Sequence, residues 1–269
     1  MASGPYVHGY DPRENARLHD QAGTLVELLH SDTAYPPGSS VLEAGCGVGA
    51  QTVTLAQRSP EASFTSVDVS AESIAEARRR VERAGVANVE LRQADIFALP
   101  FAPASFDHAF VCFVLEHLAR PVEALEILRG LLRPGGTITV IEGDHGSTYF
   151  HPQSAAADAA IRTLVDLQRD AGGDSLIGRR VYPLLVEAGF DAVRVSPRMV
   201  YADAGRPELV DGFTRKTFAA MVEGVRERAI EAGLIDPERF DMGVRALHRT
   251  TRPDGVFCYT FFKGVGTKI

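Results

Sequence analysis

Residues 43–49 read Glu-Ala-Gly-Cys-Gly-Val-Gly, three glycines in five positions behind an acid. A short apolar run ending in Val41 and Leu42 precedes them, and a stretch of helical character from Gln51 to Arg58 follows. Glycine serves where a chain must turn sharply and where a ligand comes against the backbone. The helix beyond points its first N–H groups at that ligand. A dinucleotide site spaces its glycines G-x-G-x-x-G and seats a pyrophosphate on the helix end. Here the spacing is G-x-G-x-G, and the Glu43 carboxylate would repel a pyrophosphate. The turn suits a zwitterion, a ligand carrying a cation or an amino group. Further on, Glu142-Gly143-Asp144-His145-Gly146-Ser147 sets an acid beside an imidazole. Asp144 and His145 are groups that can orient a nucleophile or take its proton.

Those residues need elements to hold them. Ser63 to Val69 is a β-branched run, and Asp68 falls near its end, about twenty residues past the turn. An acid there can accept from both hydroxyls of a ribose. Val89 to Asp95, Phe106 to Phe113 and Thr137 to Glu142 are the next predicted strands. A helix is predicted over Ala71 to Ala84, with Ser70 as its N-cap and Gly85 as its stop, and another over Pro121 to Leu132. Strands alternating with helices at this pitch predict βαβ units and a parallel sheet.

The second half predicts helices at 154–171, 178–188 and 237–248, a mixed helical stretch at 207–232, and strands at 190–200 and 255–263. Roughly fifty residues separate those two strands, far more than a hairpin needs. Residues 201–254 therefore read as a helical insertion before the last strand. With the helix at 154–171 it forms a lid over the carboxyl ends of the strands, where open α/β sheets bind ligands. Residues 1–35, with Tyr6, His8 and Tyr10, read as an N-terminal cap segment of one single domain.

Glu43, Gly45, Gly47 and Gly49 match E/D-x-G-x-G-x-G, the first motif of the class I S-adenosylmethionine-dependent methyltransferases. Ala94-Asp95-Ile96 after the third strand and Leu115-Glu116-His117-Leu118 after the fourth keep the same order, so residues 39–142 resemble that family. The resemblance implies an α/β fold: a Rossmann-like, doubly wound, mostly parallel seven-stranded sheet. It also implies a final strand pair with an antiparallel edge strand. It implies S-adenosylmethionine as cofactor and S-adenosylhomocysteine as product. On that reading Glu43, Ala44, Gly45, Cys46 and Gly47 form the cofactor turn, and Gln51 meets the methionine carboxylate. Asp68 takes the ribose, Val69 and Ile96 sandwich the adenine, and Ala94 and Asp95 meet its edge. Cys112 and Phe113 offer backbone carbonyls to the methionine amino group, and His117 follows in the family pattern. Cys112 taken alone reads as a small buried hydrophobe.

Asp144 and His145 are then the catalytic candidates, favouring a proton-bearing acceptor atom (O, N or activated C). Tyr6, Tyr10 and Tyr149 are the substrate-side candidates, since aromatic faces suit a sulfonium. Arg179, Arg180, Arg198, Arg206, Arg215 and Lys216 would suit an anionic acceptor, although surface solvation accounts for most such side chains. The branch it resembles is that of the ubiquinone and menaquinone C-methyltransferases and natural-product methyltransferases. Two other readings stay open: a nicotinamide-dependent oxidoreductase, and an S-adenosylmethionine-binding protein without catalysis.

The bulk properties agree with a small-molecule enzyme. The chain has 269 residues, 45% of them hydrophobic, and a net charge of −7. Without clustered Lys and Arg, nucleic acid is not an expected partner. Cys46, Cys112 and Cys258 are too few and too scattered for a disulfide framework or a zinc site, so no metal is expected. No basic-then-apolar leader and no spanning-length apolar stretch is present, so the expectation is a cytoplasmic monomer or homodimer away from membranes.

Overall fold

The computed structural model describes residues 23–269. Helix α1 occupies residues 23–30 of that range. Five strands and three helices follow: β1 (Ser40–Ala44), α2 (Ala50–Arg58), β2 (Ser63–Asp68), α3 (Ala71–Arg83), β3 (Val89–Gln93), β4 (Phe106–Cys112), α4 (Pro121–Leu131) and β5 (Leu132–His151). Then come α5 (Ala155–Asp170), α6 (Val181–Glu187) and β6 (Asp191–Ala202). A π-type helix (Leu209–Ala219) leads into α7 (Ala220–Gly224), α8 (Arg226–Glu231) and α9 (Pro237–Arg249), and β7 (Val256–Thr267) closes the chain.

The seven strands form one sheet in the order β3-β2-β1-β4-β5-β7-β6. β1 to β5 pair in parallel, and β7 runs antiparallel to both of its neighbours. The antiparallel strand is thus not at the edge: β7 inserts between β5 and β6, and β6 is the edge strand. β6 and β7 are antiparallel neighbours, and the long helical excursion joins them in place of a hairpin loop.

Central strands buried on both faces read as continuous apolar runs. In β1, Val41 packs with Leu55, Phe64 and Phe110 on one face, while Leu42 and Ala44 pack with Val111, Leu125 and Leu128 on the other. α3 buries Ile74, Ala77 and Val81 along one stripe, and the Ser70 hydroxyl accepts from the Ser73 N–H to cap it. On the first face, α9 closes on α5 at Gly243, where a Cβ would stand 2.8 Å from that of Ala160. Phe213 and Phe218 of the excursion are buried against Phe257, Tyr259 and Phe261 of β7, and Phe240 is buried in the same core. Tyr201 and Ala202, read from sequence as the start of the insertion, belong to β6.

One difference bears on the site. The predicted fifth strand ends at Glu142, with a glycine-flanked loop after it, but β5 continues to His151. β7 supplies a partner along that length, pairing Asp144 with Thr260 and Tyr149 with Cys258, with a bulge between. Gly143 looked like a loop glycine, yet it is a strand glycine. A Cβ there would collide with the Tyr259 hydroxyl.

Candidate functional site

The turn after β1 is built from three left-handed glycines, with φ of 76° at Gly45, 51° at Gly47 and 74° at Gly49. Side-chain-bearing residues rarely take that conformation. The N–H groups of Gly45 and Cys46 both donate to the Val67 carbonyl, at 2.8 and 2.9 Å, which fastens the turn to β2. A Cβ on Gly45 would run into Val114, and one on Gly49 would lie 3.0 Å from the Ala77 Cα. A Cβ on Gly47 would meet no described residue within 4 Å. The outer glycines serve packing, and the middle one leaves backbone open to a ligand.

Asp68 stands beside this opening. Its Oδ2 accepts from the Gly47 N–H at 2.8 Å and its Oδ1 from the Ser70 N–H at 2.9 Å. Burial pushes its carboxyl upward, and the backbone N–H groups of Ser70 and Gly47 pull it back. A carboxylate has about four acceptor sites, so each oxygen retains capacity for a further donor. The next residue, Val69, is 53% exposed, and Gln93 Nε2 donates to its carbonyl at 3.0 Å. Ala94 and Ile96 are half-buried, and Asp95 is exposed with its Oδ1 accepting from the Phe97 N–H. An apolar face flanked by two acids at neighbouring strand ends is thereby open to solvent.

Glu43 is placed differently from the other two acids. It is 2% exposed, beneath the turn, and its Oε2 accepts from the hydroxyls of Thr52 and Ser66 at 2.7 and 2.6 Å. It joins β1 to α2 and β2. Burial pushes its carboxyl up to about 7, against the pull of those two hydroxyls. Because the folded form holds its proton more tightly than the unfolded chain, stability falls as pH rises from about 4.5 to about 7. The loss should be about 3 kcal/mol. Glu43→Gln should flatten that part of the curve; thermal melts of the ligand-free protein from pH 5 to 8 that stay parallel to wild type would reject the assignment.

The exit from β4 is held in an uncommon shape. Phe113 has φ 58°, left-handed for a large side chain, and its N–H donates to the Ile141 carbonyl at 2.9 Å. Fully buried Glu142 accepts from the Val114 and Leu115 N–H groups through Oε1, at 3.0 and 2.8 Å, and so caps the turn Leu115–His117. Burial, then nearby Glu116, pushes the Glu142 carboxyl well up. Gln168 of α5 donates to the Glu116 carbonyl at 3.2 Å and lies 3.4 Å from His117 Nδ1. Cys112 is half-buried, with burial foremost in pushing its thiol up, which leaves its carbonyl as the polar group on offer.

The second group lies on β5. Asp144 is 2% exposed and gripped by Arg179, with Nε and Nη2 each 2.7 Å from a carboxylate oxygen, while the Gly146 N–H donates to Oδ1 at 2.9 Å. This fork occupies the carboxylate and pins the bulge. His145 is buried next to it; its N–H donates to the Ser175 carbonyl at 2.9 Å and its Nδ1 lies 2.7 Å from the Tyr259 hydroxyl. Its ring also packs against Phe218. Burial, followed by the charges of Glu116, Asp144 and Glu142, pushes the Tyr259 phenol well up, so it stays protonated.

Tyr149 is 55% exposed and bonded to the Met199 sulfur at 2.9 Å. It pairs with Cys258, one residue from Tyr259, so the sheet lies between it and His145. Gln51 is half-buried, with Oε1 2.7 Å from His30 Nε2. Tyr6 and Tyr10 lie outside the described residues. The cations that would suit an anionic acceptor are engaged: Arg179 on Asp144, Arg180 on Asp174, Arg198 on Asp32, Arg215 and Lys216 on Asp211, and Arg206 on the Tyr201 carbonyl. The sequence gives His30, Glu142, Gln168 and Tyr259 no role at the site, because their partners lie 21 to 114 positions away. Among the described residues no metal-binding cluster of His, Cys, Asp and Glu occurs, and no helix is long and apolar enough to cross a membrane.

Comparison with known proteins agrees with this geometry. Residues 41–136 match the family model described as a methyltransferase domain. An uncharacterized 37.1 kDa protein in transposon TN4556 of Streptomyces fradiae is 37% identical over 202 residues, 74% of this chain and 54% of that protein. An arsenite methyltransferase of Halobacterium salinarum is 29% identical over 200 residues, 73% of this chain and 49% of that enzyme. The chain spans about half the length of these two relatives. Among solved structures, phosphoethanolamine N-methyltransferase 2 of Haemonchus contortus, in complex with S-adenosyl-L-methionine, shares the fold. Its TM-score is 0.56 at 18% identity, over 93% of this chain and 52% of that one. The named enzymes are methyltransferases, not oxidoreductases, and the nicotinamide reading is set aside.

Proposed function

We propose, from the premise that this chain is a class I S-adenosylmethionine-dependent methyltransferase, that it methylates an O, N or C atom of a small-molecule acceptor. One observation supports this most: the open backbone at Gly47, tied by its N–H to Asp68, with the exposed apolar face of Val69 alongside. A backbone opening, a hydroxyl-accepting acid and an apolar ledge fit an amino-acid tail, a ribose and a base. When bound, S-adenosylmethionine supplies an electrophilic methyl group on a sulfonium.

Asp68 would hold the ribose. Val69 and Ile96 would flank the adenine, with Ala94 and Asp95 at its edge. The turn through Ala44, Gly45, Cys46 and Gly47, the carbonyls of Cys112 and Phe113, and Gln51 would hold the methionine end. Glu43 supports that turn from below, and His117 belongs to the braced segment that follows β4. The chain's remaining tasks are alignment, exclusion of water and disposal of a proton. The helices between β6 and β7, packed on α5, act as the lid. His145 takes the acceptor's proton. In the tautomer whose Nδ1–H donates to the Tyr259 oxygen, Nε2 is the basic atom. Asp144 and Arg179 fix the bulge that carries it. With its cations already paired, the site favours an acceptor without a fixed negative charge.

Calorimetry with S-adenosylhomocysteine and NAD tests the premise; NAD binding without S-adenosylhomocysteine binding would overturn it. Transfer of labelled methyl to a panel of phenols, amines and activated carbon acids tests the catalysis. Asp68→Ala should weaken S-adenosylhomocysteine binding by about 1–3 kcal/mol, through lost hydroxyl contacts and a loosened Gly47. Unchanged affinity would remove Asp68 from the ribose site.

A further inference from the structure

We infer that His30 is a positioning residue for ligand binding: its buried imidazole fixes the Gln51 carboxamide so that the amide NH2 is held out for the carboxylate of the ligand's amino-acid end. The inference rests on the S-adenosylmethionine reading above. His30 ends α1, has no exposed surface, and packs its ring on Phe110 of β4, centroids 5.8 Å apart. Its Nε2 lies 2.7 Å from Gln51 Oε1, in the first turn of α2. Its Nδ1 has no hydrogen-bond partner among the described residues.

The proton's position follows from that asymmetry. A buried N–H with no acceptor costs more than a bare ring nitrogen, so the hydrogen sits on Nε2 and donates to Gln51. A flipped carboxamide would set NH2 against N–H, so Oε1 must face His30. The Gln51 NH2 then points the other way, and it makes no hydrogen bond to a described residue. Gln51 stands two positions after Gly49, at a helix N-terminus whose free N–H groups already favour an anion. Burial, aided by the positive charges of Lys263 and Arg58 and opposed by the Gln51 bond and Asp32, lowers the His30 pKa to about 4. The ring therefore stays a neutral donor near neutral pH, and the carboxamide is preset before the ligand arrives. A preset side chain avoids the ordering cost that a free glutamine would bear on binding.

The test uses two ligands on the full chain. S-adenosylhomocysteine has the amino-acid end; 5′-deoxy-5′-methylthioadenosine keeps the nucleoside and thioether and lacks it. His30→Leu should weaken S-adenosylhomocysteine about five- to tenfold and leave methylthioadenosine unchanged. His30→Gln, whose amide nitrogen can stand where Nε2 does, should restore the affinity. Gln51→Leu should match His30→Leu, and the double variant should be no weaker than either. Equal losses for both ligands, or additive losses in the double variant, would overturn the inference. Should His30→Leu fail to fold, Gln51→Leu decides, since unchanged S-adenosylhomocysteine affinity in that variant overturns it too. A wild-type protein that binds neither ligand would instead sink the functional reading beneath it.

Discussion

His145→Ala should lower turnover about 100-fold or more, the usual contribution of a placed general base, while S-adenosylhomocysteine affinity stays near wild type. The two effects separate because His145 sits on the β5 bulge, whereas the turn follows β1, and Asp68 and Val69 lie at the end of β2. The ring is held by Tyr259 through Nδ1 and by packing on Phe218, and the backbone beneath it by the bond to the Ser175 carbonyl. Tyr259→Phe should therefore also slow the reaction, by less, because the imidazole remains. Losing a buried ring next to Phe218 also costs stability, so melts must accompany the rate measurement. Unaltered transfer of labelled methyl by folded His145→Ala would exclude His145 from the chemistry.

Gly49→Ala and Gly47→Ala should fail in different ways. At Gly49 the new Cβ meets the Ala77 backbone at 3.0 Å, and the residue keeps φ 74°. Left-handed strain and overpacking together should remove about 2–4 kcal/mol, lowering the melting temperature by about 5–15 °C. At Gly47 the new methyl enters open space, so only the strain of φ 51° remains, about 1–2 kcal/mol. The methyl would, however, stand where the ligand approaches, so the larger loss there should be in S-adenosylhomocysteine affinity. Paired melts and calorimetry on the two variants give the answer. If Gly47→Ala binds as wild type does, the ligand does not cross that backbone.

Much of the fold was legible in residue order. The strand, turn and helix at 40–58, the Ser70 cap and Gly85 stop of α3, and the alternation of β and α depend on contacts among near neighbours in sequence. Backbone dihedral limits, capping and hydrophobic period act over a few residues, so they can be read from spacing. The long excursion before the last strand was legible for the same reason, since no hairpin loop needs that length.

Which strand lies beside which was decided only in three dimensions. β5 runs on to His151 because β7, more than a hundred residues later, offers N–H and C=O partners there. The apparent loop at Glu142–Ser147 became a bulged strand, and Asp144 became the partner of Arg179 rather than an acid free to meet a nucleophile. Tyr259 reached His145 from 114 positions away, and Lys263 reached Asp32 from 231. Such pairings depend on register and on which face of the sheet a side chain takes, and a change of one residue reverses the face. Short-range chemistry in the chain thus determined the elements and the glycine turn. Long-range packing decided which polar groups meet, because only burial makes an unpaired charge or hydrogen-bond donor costly enough to demand a partner.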